Sequence, residues 1–235
     1  MNKTYMNWSG GKDSSLCLLQ VLRNKQYHVG TLLTSVNATH DRISMHGVRR
    51  SLLMQQARAM NLPLTTIELP EQPSMETYEA ILMEKIHQLQ HDRYTHALFG
   101  DIFLEDLKQY REAQLARAGI TGVFPLWKRD TRELMQEFIQ AGFKAIVVCV
   151  NEQYLDKNFC GRMIDESFVR DLPPHVDICG ENGEYHSFVF DGPLFMHPIT
   201  CTLGETVYRQ YPAPESDNNT TQQYGFYFCD LLPAE

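Results

Sequence analysis

The 235-residue chain lacks Cys-x-x-Cys motifs, long apolar runs and the pattern of a signal peptide. Its six cysteines never occur as Cys-x-x-Cys, so they favour neither a zinc site nor a disulfide framework. No apolar run approaches the roughly 20 residues that a membrane-spanning helix needs. The early apolar stretch is interrupted by Gly-Gly-Lys-Asp, so we expect no signal peptide. We therefore predict a cytoplasmic protein with no membrane partner.

An excess of positive charge is also missing. Lys and Arg total 21 against 29 Asp and Glu, which gives a formal net charge of −8. The chain therefore has no overall basic field with which to bind a phosphate backbone, and this weighs against nucleic acid as a partner. Its apolar content of 43% is that of an ordinary globular protein with a sizeable core.

The most informative pattern that is present is a glycine-rich segment near the start of the chain. It reads Trp8-Ser9-Gly10-Gly11-Lys12-Asp13-Ser14-Ser15 and lies between an apolar lead-in and an apolar run typical of a helix. The two glycines let backbone N–H groups approach an anion, and a helix N-terminus adds partial positive charge. Lys12 supplies a full charge, and three serines supply hydroxyl donors. The alternative is a surface turn with this composition.

The spacing of this segment differs from a Walker A loop, which needs four residues between Gly and Gly-Lys, and from the dinucleotide pattern Gly-x-Gly-x-x-Gly. It resembles the SGGxDS pyrophosphate loop of the PP-loop enzymes. Those enzymes split ATP between its α and β phosphates and adenylate a carbonyl or carboxylate oxygen. The resemblance implies that Ser9 to Ser15 bind the terminal phosphates of ATP.

Strand-like and helix-like patterns alternate over the first 150 residues. Apolar runs at 29–36, 64–69 and 145–150 are typical of buried strands, and helical spacing occurs between them. Ser74 and Asp130 are candidate helix N-caps. This alternation predicts an α/β fold with a doubly wound parallel sheet, in which the run at 145–150 is the last strand.

The composition changes after Asn151, where prolines and glycines become frequent. Three short β-like pieces occur there, at 187–190, 199–203 and 224–231. The segment 211–223 has two prolines and an Asp-Asn-Asn run, so we predict a mobile loop. We predict an ATP-binding PP-loop domain over residues 1–152 and a smaller α+β C-terminal domain over residues 153–235.

Two further segments carry candidate site residues. Gly100-Asp101 follows a predicted strand at the carboxyl edge of the sheet, where ligands bind in open α/β folds. Asp101 can hold Mg²⁺ or orient a substrate there, or it can simply cap the following helix. In Glu181-Asn182-Gly183-Glu184, two carboxylates lie three residues apart in a turn before a β-like run. Such a pair can bind a metal, recognise an amine, act as general acid and base, or form a solvated hairpin turn.

Together, the motifs SGGKDS and GENGEYHSFVFDGP resemble the diphthine–ammonia ligase family of PP-loop ATPases. The segments Met45 to Arg49, Phe99 to Ile102 and Pro125 to Trp127 occur between them in the order of that family. The resemblance implies a HUP-type Rossmann-like domain that binds ATP. It also implies adenylation of the carboxylate of diphthine on translation elongation factor 2, followed by displacement of AMP by ammonia. Asn182 departs from the Glu-Gly-Gly-Glu of the established ligases and resembles the bacterial branch, so the acceptor carboxylate, on a protein or a small molecule, stays open.

This resemblance implies a division of roles among the candidate residues. Adenine would lie near Leu33 and Thr34, at the end of the second strand. Lys12 would stabilise the leaving pyrophosphate, and Asp13 and Asp101 would hold Mg²⁺. The second domain would position the acceptor or ammonia. The ATP-binding candidates are Ser9, Gly10, Gly11, Lys12, Asp13, Ser14, Ser15, Leu33, Thr34 and Gly100. The catalytic candidates are Lys12, Asp13, Asp101, Glu181 and Glu184. The substrate-binding candidates are His46, Asn182, Gly183 and His186.

Three alternatives remain open at this point. The chain can be a PP-loop enzyme that acts on a small acid, one that acts on a tRNA base, or a nucleotide-binding sensor without catalysis. A homodimer is compatible with all three. Among the other polar residues, we interpret Arg111 and Glu112 as a surface pair on one helix, and we do not expect Cys160 or Cys179 to be nucleophiles.

Overall fold

The computed structural model describes residues 1–212 and 223–234. Its first sheet has five parallel strands in the order β4-β2-β1-β5-β6, with a short antiparallel β3 beside β2. The sheet strands are β1 (Asn2–Asn7), β2 (Tyr27–Asn37), β3 (Arg42–Ile43), β4 (Leu64–Leu69), β5 (His96–Leu98) and β6 (Thr121–Val123). Since these strands run parallel, their carboxyl ends meet at one edge, as predicted.

Helices cover both faces of this sheet. They are α1 (Lys12–Asn24), α2 (Arg50–Ala59), α3 (Met75–His91), α4 (Glu105–Ala116) and α5 (Thr131–Gln140). Alternate residues of a strand point to opposite faces. Met6 accordingly belongs to the core formed with α1, α2 and α5, whereas Tyr5 belongs to the core formed with α3 and α4. The prediction of a doubly wound parallel sheet is confirmed.

The second sheet is antiparallel, with the strand order β8-β7-β10-β9. Its strands are β7 (Lys144–Asn151), β8 (Tyr185–Asp191), β9 (Cys201–Pro212) and β10 (Gln223–Pro233), and a short helix α6 (Glu166–Asp171) lies between β7 and β8. Side chains of β7, β8 and β10 join the same hydrophobic core as α1 and α2. The second sheet, which with α6 forms the second unit of the fold, therefore shares an apolar core with the first unit, which consists of the parallel sheet and its helices.

The prediction that the run at 145–150 is the last strand of the parallel sheet is wrong. Strand β7 pairs antiparallel with β8 and β10 in the second sheet. All residues of β7 after Lys144 are buried. A continuous apolar run indicates that both faces of a strand are buried. It does not indicate whether the neighbouring strands are parallel or antiparallel.

Several local predictions can be compared with the structure. The Ser74 side chain caps α3 and the Asp130 side chain caps α5, as predicted. The division after residue 152 stays a prediction, and the pairing of β7 would place that strand with the second unit. Most of the predicted loop at 211–223 lies outside the described residues, and its two ends belong to β9 and β10. Within the described part of the chain, no helix has the length and apolarity needed to cross a bilayer.

Candidate active site

The loop between β1 and α1, which we call the anion loop, has the backbone geometry of an anion-binding site. Gly10 has a φ of 78°, in the left-handed region that favours glycine. Gly11 is the N-cap of α1, and its carbonyl accepts hydrogen bonds from the hydroxyls of Ser14 at 3.0 Å and Ser15 at 2.9 Å. The Ser9 hydroxyl accepts the Gly11 N–H at 3.2 Å. All three serine side chains therefore form hydrogen bonds with Gly11 and fix the backbone where the loop meets α1.

Lys12 and Asp13 form an ion pair at the start of α1. The Lys12 side chain is 4% exposed, and its Nζ lies 2.6 Å from Oδ1 of Asp13. Burial opposes the charge of Lys12, but the Asp13 carboxylate keeps its pKa above the ordinary value. Burial raises the pKa of Asp13, against the effect of the Lys12 ammonium. The buried cation is thus kept charged by a neighbouring carboxylate, where incoming phosphate oxygens can compete for it.

Strand β8 docks directly onto this loop. The Ser187 hydroxyl accepts the backbone N–H of Lys12 at 3.1 Å, and the Val189 N–H donates to the Gly10 carbonyl at 2.9 Å. The fully buried Gln56 of α2 joins both segments, because its amide donates to the carbonyls of Gly10 at 3.0 Å and Val189 at 2.6 Å. Its oxygen accepts the indole N–H of Trp8 at 2.9 Å. The loop geometry therefore depends on α2 and on β8.

The segment after β5 approaches the loop from the other side. A Cβ at Gly100 would lie 2.9 Å from the backbone carbonyl carbon of Asp13, so glycine is required for this contact. Asp101 forms an ion pair with Arg111, with 2.8 Å between Oδ2 and Nε. Burial raises the pKa of Asp101, against the effect of Arg111, and the Asp13 carboxylate raises it further. Two carboxylates thus lie close enough at this edge to repel each other.

Two interpretations of this segment are corrected by the structure. Asp101 is not a helix cap, since the N-cap of α4 is Leu104. Arg111 is not a surface partner of Glu112, whose carboxylate pairs with Lys108 at 2.8 Å. The Arg111 guanidinium instead lies 4.6 Å from the ring centroid of Phe99 and faces the site.

Glu181 reaches from the second unit to the edge of the first sheet. Its Oε1 accepts the backbone N–H of Ile102 at 2.7 Å. Burial raises the pKa of Glu181 to about 7, the Ile102 N–H opposes this shift, and the Asp13 carboxylate adds to it. The carboxyl group therefore changes its charge near neutral pH, beside the anion loop.

The raised pKa of Glu181 predicts a pH-dependent stability. In the unfolded chain the group titrates near 4.5, so the folded state binds more protons between pH 4.5 and about 7. The stability that the neutral carboxyl contributes is complete below pH 4.5 and is lost as the pH rises through 7. Gln resembles the neutral carboxyl, so we expect Glu181→Gln to be more stable than wild type at pH 8 and nearly equal to it at pH 4.5. Thermal unfolding of both proteins across this range measures the difference.

Two comparisons keep this experiment specific. His46 and His186 have lowered pKa values and impose an opposite pH trend on both proteins, so only the difference between variant and wild type is informative. Glu205→Gln, at an exposed position of β9, is the matched control and is expected to show no such trend. A constant difference between Glu181→Gln and wild type at all pH values would contradict the assignment of the titration to Glu181.

Glu184 has different surroundings, although it is only three residues from Glu181. It is 1% exposed, and its carboxylate accepts the backbone N–H groups of Asp177 at 3.0 Å and Asn182 at 2.9 Å. The Asn182 side-chain amide donates to the same carboxylate at 3.0 Å. Glu184 therefore lies inside the turn and organises it, while Glu181 projects out of it. A direct contact of Glu184 with the acceptor stays a prediction.

His46 and His186 form a pair of neighbouring rings beside the loop. Their centroids are 4.6 Å apart, and Nδ1 of His46 lies 3.1 Å from the Ser187 carbonyl oxygen. Burial lowers the pKa of His46 to about 4 and that of His186 to about 3, and the Lys12 ammonium contributes to both shifts. Both imidazoles are therefore neutral at physiological pH. The predicted substrate-binding residues of the two units thus lie together.

A cavity of about 780 Å³ connects these groups. Most predicted site residues line it, namely Ser9, Gly11, Lys12, Asp13, Ser14, Leu33, Thr34, His46, Gly100, Asp101, Glu181, Asn182, Gly183 and His186. The lining of this cavity does not include Gly10, Ser15 or Glu184, which support its walls. The Thr34 hydroxyl donates to the Trp8 carbonyl at 2.6 Å and so fixes the end of β2 against β1. The structure therefore brings the predicted ATP side and the predicted substrate side into one space.

Sequence reasoning did not find four residues that build this site: Gln56, Arg111, Asp177 and Ser187. Asp177 accepts the N–H groups of Cys179 at 3.1 Å and Glu181 at 3.0 Å, so it shapes the turn that carries Glu181. An Asp shortly before a Gly-rich turn is a recognisable signal for such bonds. Gln56 and Ser187 carry no comparable local signal, because their partners are distant in sequence.

Two family models together match most of the chain. The model described as the diphthamide synthase N-terminal domain matches residues 2–121, which is more than half of the sequence. The chain belongs to the diphthamide synthase family. The model described as the diphthamide synthase C-terminal domain matches residues 130–212 of this family member, and the resemblance to the diphthine–ammonia ligases is confirmed.

Individual relatives of this diphthamide synthase family member carry a consistent name. A diphthine–ammonia ligase of Danio rerio is 27% identical over 219 residues, covering 85% of this chain and 86% of the relative. The ligase of Bos taurus is 33% identical over 110 residues, covering 44% of this chain and 41% of the relative. The ligase of Homo sapiens is 31% identical over 110 residues, covering 44% of this chain and 41% of the relative. The zebrafish match therefore spans both units of the fold.

Proposed function

We propose that this protein is an ATP-dependent ligase that adenylates a carboxylate, releases pyrophosphate, and amidates the acyl group with ammonia. One observation carries the proposal: the anion loop and the Glu181 turn open into the same cavity. An adenylating ligase needs its phosphate site and its acceptor site within bonding distance of each other. The names of the relatives support this reaction type.

The loop supplies groups that bind and stabilise phosphate. The N-terminus of α1 adds partial positive charge, and Lys12 is a buried cation whose partner Asp13 is a carboxylate. Binding of ATP would exchange the contact with Asp13 for contacts with phosphate oxygens. Charge builds on the pyrophosphate as it leaves, and a fixed cation at that point lowers the barrier.

The acidic groups at the sheet edge fit a Mg²⁺ ion bound together with ATP. Asp13 and Asp101 both have pKa values raised by burial, and a cation between them would relieve their repulsion. In the part of the chain that the structure describes, no three His, Cys, Asp or Glu side chains form a ready metal site. The proposed ion would therefore need phosphate oxygens to complete its coordination, as is usual for Mg²⁺ with nucleotides. It would supply charge neutralisation.

Diphthine is the acceptor that we propose, on the basis of the relatives' names. Its carboxylate would meet the α phosphate near Lys12, and ammonia would enter from the side of His46 and His186. The net charge of −8 disfavours a tRNA base as acceptor. A cytoplasmic location agrees with an acceptor on elongation factor 2. The role of Glu184 in this scheme is to hold the turn that positions Glu181.

The products of ATP turnover test the proposal. We expect AMP and pyrophosphate in equal amounts, because a pyrophosphate loop leaves the α phosphate on the acceptor. Incubation with ATP, Mg²⁺, ammonium and diphthine-bearing elongation factor 2, followed by chromatography of the nucleotides, measures this. ADP and phosphate as the products would contradict adenylation.

Matched omissions separate the remaining alternatives. Without the acceptor protein, AMP release is expected to fall to background, and the amide is expected only when ammonium is present. ATP binding with no turnover under any condition would favour the sensor. Turnover with a small carboxylic acid in place of the protein would retain the chemistry and change the acceptor.

A further inference from the structure

The orientation of the His46 ring follows from its contact with β8. A carbonyl oxygen only accepts hydrogen bonds, so Nδ1 of His46 must carry the proton that it donates to Ser187 at 3.1 Å. The neutral ring then has its lone pair on Nε2. Among the described residues, no group forms a hydrogen bond with Nε2. Because His46 lines the cavity, this lone pair is available to a ligand there.

The position of the ring relative to the anion loop is equally specific. Cε1 of His46 lies 3.1 Å from where a Cβ on Gly11 would be, so the ring is packed against the N-cap of α1. A side chain at position 11 would press on this ring and on the Ser187 carbonyl oxygen. The ring is thus held beside the point where the proposed reaction places the acyl phosphate, with His186 on one side and Lys12 nearby.

We propose that Nε2 of His46 accepts the proton that the attacking ammonia nitrogen loses as the amide forms. The step rests on the proposed function. The ammonia lone pair forms the C–N bond, and the C–O bond to AMP breaks with its electron pair leaving on AMP. One N–H proton of the positively charged adduct moves to Nε2 and is then released to water.

The lowered pKa of His46 keeps its Nε2 unprotonated and free to accept a proton. The N–H of a protonated amide adduct is strongly acidic, so a weak base removes its proton readily. A base with a pKa of about 4 is neutral at any physiological pH and does not need to be deprotonated before each turnover. Burial keeps the His46 ring neutral, and the Lys12 ammonium adds to this effect, since a second positive charge near it is unfavourable.

A pair of substitutions separates this role from a structural one. In His46→Asn, the amide nitrogen can keep the hydrogen bond to the Ser187 carbonyl, but nothing replaces Nε2. We expect amide formation on diphthine-bearing elongation factor 2 to fall by about 10- to 100-fold, less than most general-base effects, because a group with a pKa of about 4 is a weak base. Exchange of labelled pyrophosphate into ATP, which reports adenylation alone, is expected to stay within about threefold of wild type. Mass spectrometry of the acceptor protein measures the amide.

His40→Asn is the matched control. His40 lies on the same connection between β2 and α2, but it is exposed and contacts Glu71 at 2.9 Å, so both rates are expected to be unchanged. Normal amide formation by His46→Asn, or equal losses of exchange and amide formation, would overturn the role of Nε2. If wild type itself shows neither exchange nor amide formation, the proposed function fails and this step fails with it.

Discussion

Replacing Gln56 with Leu is expected to lower the free energy of unfolding by about 3–5 kcal/mol, because buried polar groups left without partners cost about 1–3 kcal/mol each. Leu fills nearly the same volume, so the loss is that of hydrogen bonds. The indole N–H of Trp8 and the carbonyl of Val189 lose their partner, while the Gly10 carbonyl keeps the Val189 N–H. Urea denaturation measures the change. ATP affinity is expected to fall as well, since the loop loses its support.

Gln55→Leu provides the comparison. Gln55 is the neighbouring residue of α2 and is only half-buried, so its substitution is expected to change stability by less than about 1 kcal/mol. A similarly small effect at Gln56 would mean that the contact between α2, the loop and β8 contributes little.

Gly100→Ala is expected to weaken ATP binding by about 10- to 100-fold while leaving the protein folded. The added methyl group would lie 2.9 Å from the carbonyl carbon of Asp13 and 3.0 Å from the nitrogen of Ser14. Both are backbone atoms in the first turn of α1, so that turn must move. Overpacking of this kind costs typically 1–3 kcal/mol, and here the displaced groups are those proposed to bind phosphate. Calorimetric titration with ATP and Mg²⁺ measures the affinity.

Gly142→Ala serves as the control for a general loss of stability. Gly142 follows α5 with a φ of 83°, and a Cβ there would contact nothing within 4 Å. Alanine at this position is expected to destabilise the fold by about 1 kcal/mol through its backbone conformation alone. Its ATP affinity is expected to equal that of wild type. Equal ATP affinity in Gly100→Ala and wild type would show that the segment after β5 is not part of the nucleotide site.

The parts of the molecule that could be predicted from sequence are those with short-range causes. The loop at Ser9–Ser15 follows from glycines at a strand–helix junction, and the caps at Ser74 and Asp130 follow from single side chains. The doubly wound parallel sheet follows from the alternation of strand-like and helix-like segments. These features depend on neighbours within a few positions, so a single sequence is sufficient to predict them.

The features that were missed depend on pairing between distant segments. The apolar run of β7 indicated that the strand is buried, but it did not indicate that β7 pairs antiparallel with β8 and β10. The Glu-Asn-Gly-Glu turn offered two equivalent carboxylates, and only the fold separates Glu184, which is bonded inside the turn, from Glu181, which reaches Ile102. Gln56 looked like any polar residue of an amphipathic helix, because its three partners lie 46, 48 and 133 positions away.

The dependence of the loop on β8 has a consequence for the order in which the protein is synthesised. When the first half of the chain has left the ribosome, α1 and the glycines of the loop are complete, but Ser187 is still to be translated, 175 positions after Lys12. Gly10 and Lys12 gain their β8 partners only when that strand arrives. A nascent chain therefore carries an incomplete loop between β1 and α1, and the proposed ATP turnover is expected only once β8 has been made.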